Sequence, residues 1–214
     1  MTGTFIVVEG VEGAGKSTQV ALLAAWLEEL AVASTITREP GGTALGEAVR
    51  ALVLERTDLH VPRESELLLI LAARAVFVRD VVRPALERGE VVVADRYELS
   101  TLAYQGYGRE LNLDTVRKLN AFASGGLTPD LVLVLDVPVE VGLGRQRREG
   151  KVADRMERET GDFLGRVREG YLTLAREESN TVLIEAGGTP DEVFVRVRAA
   201  LSGRFPGAFP TGSD

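Results

Sequence analysis

Short apolar runs bounded by glycine or charge recur along this chain of 214 residues, and between them apolar positions return every three or four residues. Thr4 to Glu9 is β-branched and aromatic and stops at a glycine. Val91 to Asp95, Leu131 to Asp136 and Thr181 to Ile184 have the same character, and Ser34 to Arg38 is a weaker fifth. Such runs predict strands buried on both faces. The longer period predicts helices over Lys16 to Leu30, Leu45 to Leu54, Glu64 to Glu87, Asp114 to Ala123 and Asp191 to Leu201. Strand alternating with helix implies an α/β fold, a parallel sheet covered by helices on both faces. No repeat or linker interrupts the pattern, so residues 1–203 read as one domain. The last stretch, Arg204 to Asp214, is rich in Pro, Gly and Ser and is expected to be a disordered tail.

Ligands of such sheets sit beyond the carboxyl ends of the strands. Glu9, Asp95 and Asp136 all stand there. One such acid is ordinary edge solvation; three beside an anion site suggest chemistry. The anion site follows the first strand: Gly10-Val-Glu-Gly-Ala-Gly15-Lys16-Ser17 fits G-x-x-x-x-G-K-[ST] between a strand and a helix, as a P-loop requires. Its glycines let backbone N–H groups turn onto phosphate oxygens, and the helix N-terminus adds a favourable dipole. Lys16 is placed to bridge the β- and γ-phosphates of ATP and Ser17 to ligand Mg²⁺. Gly10, Val11, Glu12, Gly13, Ala14, Gly15 and Thr18 complete the ATP-binding set.

Composition narrows the choice. There is no cysteine, so disulfides and thiolate metal sites are excluded. A net charge of −7 argues against nucleic acid as a partner. No apolar run approaches the roughly 20 residues that span a bilayer, so no membrane partner is expected. The N-terminus lacks the basic and apolar regions of a signal peptide, and the chain reads as cytoplasmic. None of Asn112, Asn120 and Asn180 opens an Asn-Lys-x-Asp guanine-reading motif, which disfavours a switch GTPase. The abundance of further charged and glycine-rich segments points to a second substrate beside ATP.

Taken together, Phe5 to Thr18, Arg38-Glu-Pro-Gly-Gly-Thr43, Asp95-Arg-Tyr97 with Ser100 to Gly106, Pro129-Asp130 and the arginine-rich stretch from Arg145 to Arg158 resemble bacterial thymidylate kinases, from Thr4 to about Leu201. The resemblance implies the P-loop nucleoside-monophosphate kinase fold with five parallel strands, phosphorylation of dTMP to dTDP with MgATP, and a homodimer. It implies a dTMP site of Glu12 (a hook for the deoxyribose 3′-hydroxyl), Arg38, Pro40, Arg50, Ile70, Arg74, Arg96, Thr101, Tyr104 and Gln105. Arg74 is expected to face the base. Tyr104 would leave little room for a ribose 2′-hydroxyl. Asp95, beside Mg²⁺ with Ser17, and Arg96, on the dTMP phosphate, join Lys16 as catalytic residues. The basic run Arg145, Arg147, Arg148, Lys151 and Arg155, opened by Gly142 and Gly144, resembles a mobile arginine-rich lid over ATP, at about residues 142–157. Arg147 or Arg148 would act in the transition state there, and Arg145 would bind ATP.

One position departs from the family. Relatives carry an aromatic four residues before the base-facing arginine, where this chain has Ile70, so only aliphatic contact with the base is expected. Phe77 lies near the same stripe and is read as core rather than as a substitute. Trp26 is read as core, and His60 is assigned no role.

Overall fold

The computed structural model describes residues 3–148, 155–156, 159 and 161–209. All five expected strands form within a residue of their predicted ends: β1 (Thr4–Gly10), β2 (Ser34–Arg38), β3 (Val91–Asp95), β4 (Leu131–Asp136) and β5 (Thr181–Glu185). They pair in parallel in the order β2-β3-β1-β4-β5. The two inner partners of β1 are also the most continuously apolar segments, because a central parallel strand is covered on both faces. Phe5 to Val8, Val92 to Ala94 and Leu133 to Leu135 are all buried. The edge strands β2 and β5 are mostly half-buried or exposed, which is why β2 is the weaker signal. Asp130 locks the β1 and β4 entries together by accepting the Phe5 N–H at 2.8 Å.

The helices are α1 (Lys16–Glu29), α2 (Ala44–Arg50), α3 (Arg63–Phe77), α4 (Arg83–Glu87), α5 (Glu98–Thr101), α6 (Leu113–Ser124), α7 (Val139–Arg148), α8 (Gly161–Glu177) and α9 (Pro190–Arg204). Three wider π-type turns continue α2 (Ala51–Glu55), join α3 to α4 (Val78–Val82) and extend α5 (Leu102–Gly108). The single helix expected over Glu64 to Glu87 is therefore interrupted. Pro84 opens α4, and a proline cannot donate to the preceding turn and crowds the carbonyl four residues back.

Three expectations are corrected. Helix α8 is not anticipated by the sequence reading, although Phe163, Leu164, Val167, Tyr171 and Leu174 form a helical stripe; the glycines and charges between them mask it. The basic run up to Arg148 lies on a helix, α7, and its Gly142 packs against the P-loop. A Cβ there would lie 2.3 Å from the Glu12 carbonyl oxygen, and one on Gly13 would lie 2.2 Å from the Gly142 carbonyl oxygen. Only two glycines let α7 and the P-loop touch backbone to backbone. Last, the supposed tail is ordered as far as it is described. Phe209 is fully buried, 5.7 Å from the Trp26 ring and 5.8 Å from Phe205. Aromatic burial outweighs the turn-prone composition around it. Residues 210–214, and 149–154 and 157 of the expected lid with Lys151 among them, lie outside the described residues.

Candidate active site

Gly13 and Gly15 take left-handed φ of 71° and 95°, turning the loop around the N-terminus of α1, whose first-turn N–H groups have no side-chain cap. That geometry presents several donors to one point, the arrangement that binds phosphate. Lys16 is buried, and its Nζ donates to the carbonyls of Gly10 (3.1 Å) and Val11 (2.9 Å). Burial, and then the nearby Arg96, lower its pKa, while Glu12, Asp95 and Glu9 oppose the shift. From Glu12 to Thr18 every residue lines one cavity of about 500 Å³. Gly10 and Val11, expected among the ATP contacts, stand behind its wall and hold Lys16 through their carbonyls.

The end of β3 supplies the middle of this cavity. Ser17 Oγ donates to Asp95 Oδ2 at 3.1 Å, so two hard oxygen ligands meet at the loop mouth. The next residue, Arg96, has φ 77°, a strained conformation for a side chain with a Cβ. A dense network keeps it there. Its Nη1 donates to Gly10 O, Ser100 Oγ and Tyr171 Oη at 3.0 to 3.1 Å; its Nη2 donates to Glu12 and Tyr104 Oη; its guanidinium lies 5.0 Å over the Tyr104 ring. Burial works to raise the Glu12 carboxyl. Arg96 and then Lys16, with hydrogen bonds from Tyr104 and Arg96, outweigh burial and bring it down to about 2.

The three strand-end acids divide. Asp95 faces the cavity. Glu9 is a structural anchor, fully buried and accepting the N–H groups of Tyr97 and Ser100 and the hydroxyls of Ser100 and Tyr171. Asp136 pairs with Arg168 at 2.8 Å.

The far end of the cavity is built from α3, the α2 extension and the α5 extension, with Ile70, Thr101, Tyr104 and Gln105 in its wall. The i, i+3 spacing of Thr101 and Tyr104 is only part of the reason. The wide turn after Thr101 brings Gln105 to the same wall. Arg74 also borders this space, but its guanidinium is largely committed within the protein. It donates to both Glu39 oxygens (shortest 2.7 Å), to Thr101 Oγ1 (2.9 Å) and to Asn120 Oδ1 (2.5 Å), and lies 5.0 Å from the Tyr97 ring. These partners leave at most one N–H for a ligand. Arg74 is 1% exposed, so the expected base-facing arginine is first of all the centre of a buried polar cluster. Arg38, Pro40 and Arg50 border the cavity as well; Arg38 pairs with Glu47 at 3.0 Å, and Arg50 donates to the Pro40 carbonyl at 3.1 Å. Phe77 is fully buried at 6.5 Å from Tyr97 and does not line the cavity, in keeping with its reading as core.

The basic run is split by helical geometry. Arg145 lies inward beside Gly142 and donates to the carbonyls of Gly13 (3.3 Å) and Ala186 (3.0 Å), bridging the P-loop to the β5–α9 turn. Arg147 and Arg148, expected at the reacting centre, are exposed and border no part of the cavity; Arg148 Nε bonds its own helix at Gly144 O. At 100° per residue Arg147 points to the opposite side of α7 from the face that Gly142 and Arg145 share, while Arg148 lies one turn beyond Arg145, exposed and outside the cavity. Arg155 is elsewhere again, paired with the buried Glu66.

Glu39, Glu66, Asn120 and Tyr171 receive no role from the sequence because their partners lie 22 or more positions away. Only Tyr171 had a signal, its place on the overlooked α8 stripe. Gln19 Oε1 is the only buried side-chain oxygen or nitrogen without a partner among the described residues; its Nε2 donates to Pro190 O at 2.9 Å.

Comparison with known proteins matches residues 8–197 to the family model described as thymidylate kinase. The chain is 48% identical over 203 residues to a thymidylate kinase of Carboxydothermus hydrogenoformans, covering 95% of this chain and 98% of that one. It is likewise 48% identical over 210 residues to a thymidylate kinase of Desulforudis audaxviator, covering 95% and 94% of the two chains. A crystal structure of thymidylate kinase from Ehrlichia chaffeensis superposes with a TM-score of 0.76 at 30% identity, over 94% of this chain and all of that one.

Proposed function

This chain belongs to the thymidylate kinase family and phosphorylates dTMP to dTDP with ATP, and from that premise we propose how its residues divide the work. The observation that carries the proposal is the single cavity running from the P-loop, past a cationic waist at Arg96, to a wall of apolar and amide side chains. Such a space accommodates two nucleotides with their phosphates facing one another.

The P-loop and the N-terminus of α1 hold the ATP phosphates, and Lys16 exchanges its loop carbonyls for phosphate oxygens. Arg145 flanks the same phosphates. Arg96, with Arg50 and Arg38 nearby, receives the dTMP phosphate. Glu12 accepts the sugar 3′-hydroxyl, and Tyr104 closes the space beside C2′. The acceptor oxygen is already anionic, so no strong base is required, and in-line transfer depends on alignment and on cations around the migrating group. Lys16, Arg96 and Arg145 provide those cations without Arg147 or Arg148. The pairing of Ser17 Oγ with Asp95 Oδ2 fits Mg²⁺, which accepts one or two protein oxygens and takes its other ligands from phosphate and water. When bound, the ion would neutralise negative charge on the ATP phosphates.

A homodimer is part of the same reading. Helices α3 and α6 pack side by side and leave Leu68 and Phe122 exposed, Phe122 by 87%, a surface suited to a second copy. A cytoplasmic location accords with a chain free of cysteine.

The deciding experiment measures ADP formation with dTMP, dUMP, CMP, AMP and GMP as acceptors. Preference for dTMP, with little ATP consumed when no monophosphate is present, is the expected result. Comparable turnover with a ribonucleotide would overturn the assignment of Tyr104 and Glu12.

A further inference from the structure

Ile70 gives the base end of the cavity an aliphatic rather than an aromatic face, and it does not line that end alone. Met156 lines the same space, together with Val53 and Leu54 of the α2 extension, and is only 5% exposed. It comes from the far end of the arginine-rich segment, which its composition marks for phosphate rather than for a base.

The preceding residue explains how a methionine is held there. Arg155 is fastened at three points: its backbone N–H donates to Leu54 O (2.9 Å), its Nε to Val53 O (2.7 Å), and its Nη2 to Glu66. Glu66 is fully buried and also receives Gln105 Nε2 at 2.7 Å and Arg109 at 3.2 Å. Arg109 in turn directs Nη2 at the Met156 sulfur (3.5 Å) and lies 4.7 Å over the Phe163 ring. A buried carboxylate gathering three donors keeps its geometry, because releasing any of them strands charge away from water. The thioether is thereby fixed by Arg109 in the wall of the cavity that Ile70 and Gln105 also line.

We infer that Met156 is a specificity-determining residue for the acceptor base, and that Glu66 is the positioning residue that holds it in place through Arg155. This rests on the reading that the end of the cavity remote from Lys16 takes the base. Thymine is a planar ring with an apolar methyl group. A polarisable sulfur contacts aromatic rings favourably, and an unbranched side chain adapts to a methyl group. Ile70 and Met156 together supply the apolar contact with the base.

The test measures kcat and KM for dTMP and for dUMP, which lacks the methyl group, in wild type and in Met156→Ala, Met156→Leu, Ile70→Ala, Glu66→Gln and Ile70→Phe/Met156→Ala. Melting temperature is followed throughout. Met156→Ala is expected to raise the KM for dTMP about five- to tenfold, much more than it lowers kcat, and to reduce the preference for dTMP over dUMP. Met156→Leu should stay within about twofold of wild type, and keeps the question decidable if the alanine variant fails to fold: a KM shift of tenfold on this conservative change would speak for lost architecture and against the inference. Glu66→Gln should shift KM in the same direction as Met156→Ala. Adding Ile70→Phe should recover part of the loss, since residues sharing one ligand are not additive. If Ile70→Ala raises KM while Met156→Ala leaves both KM and the preference unchanged, the base is where we place it and Met156 does not read it. If neither variant moves KM, the placement of the base is itself wrong.

Discussion

The two ends of the cavity are made in different ways. The phosphate end comes from consecutive residues, Glu12 to Thr18, which present backbone donors and an uncapped helix terminus to the cavity. The far end is assembled from side chains of α3, the α2 and α5 extensions and Met156, and leans on Glu39, Glu66 and Asn120, all buried and none of them near its partner in sequence. Recognition of phosphate can be encoded locally because every residue carries an N–H. Recognition of a base needs several side chains in one place, which only a finished tertiary structure provides.

The largest expected effect tests the local end. Lys16→Ala should reduce turnover on the order of 10³-fold with the fold preserved, since its amine serves phosphate and two loop carbonyls rather than the apolar core. A variant that retains more than a tenth of wild-type turnover would break the contrast at once.

The arginines of α7 give the next test. Arg145→Ala should lower kcat/KM about a hundredfold, and Arg148→Ala by less than about threefold, because only Arg145 borders the cavity. Equal losses would show that α7 turns its other face to the phosphates during the reaction.

Glu12 stands where the two ends meet, and its contribution depends on pH. Its carboxyl is held at about 2 against an ordinary 4.5, so the folded state favours its charged form. The resulting stability, about 3 kcal/mol, is present above pH 4.5 and disappears as pH falls towards 2. Urea unfolding should therefore find Glu12→Gln less stable than wild type near neutrality, with the gap closing in acid. A gap independent of pH would mean that Arg96 and Lys16 do not stabilise the carboxylate.

The smallest effects concern the base end. Ile70→Phe should lower the KM for dTMP several-fold with little change in kcat, because base stacking on an aromatic exceeds aliphatic contact. Phe77→Leu should cost about 1 to 2 kcal/mol of stability and leave KM alone, as its ring sits wholly in the core. A shift of the KM at unchanged melting temperature in Phe77→Leu would move the base along α3 and redraw the far end.

Where the strands and most helices lie along the chain is legible without the structure, since buried parallel strands and amphipathic helices leave periodic patterns that need no knowledge of partners. The sequence by itself also determined the P-loop and the contrast between Ile70 and Phe77. It could not separate Arg145 from Arg147 and Arg148, because which face of a helix meets a site depends on where that helix docks, here on Gly13 against Gly142. It could not show that Arg74 is committed to Glu39, Thr101 and Asn120, or that Glu9 is an anchor while Asp95 lines the cavity. Nor could it bring Phe209 under Trp26. In each case the deciding quantity is the burial of a charge or a ring against residues distant in the chain. That cost is settled by tertiary contacts alone.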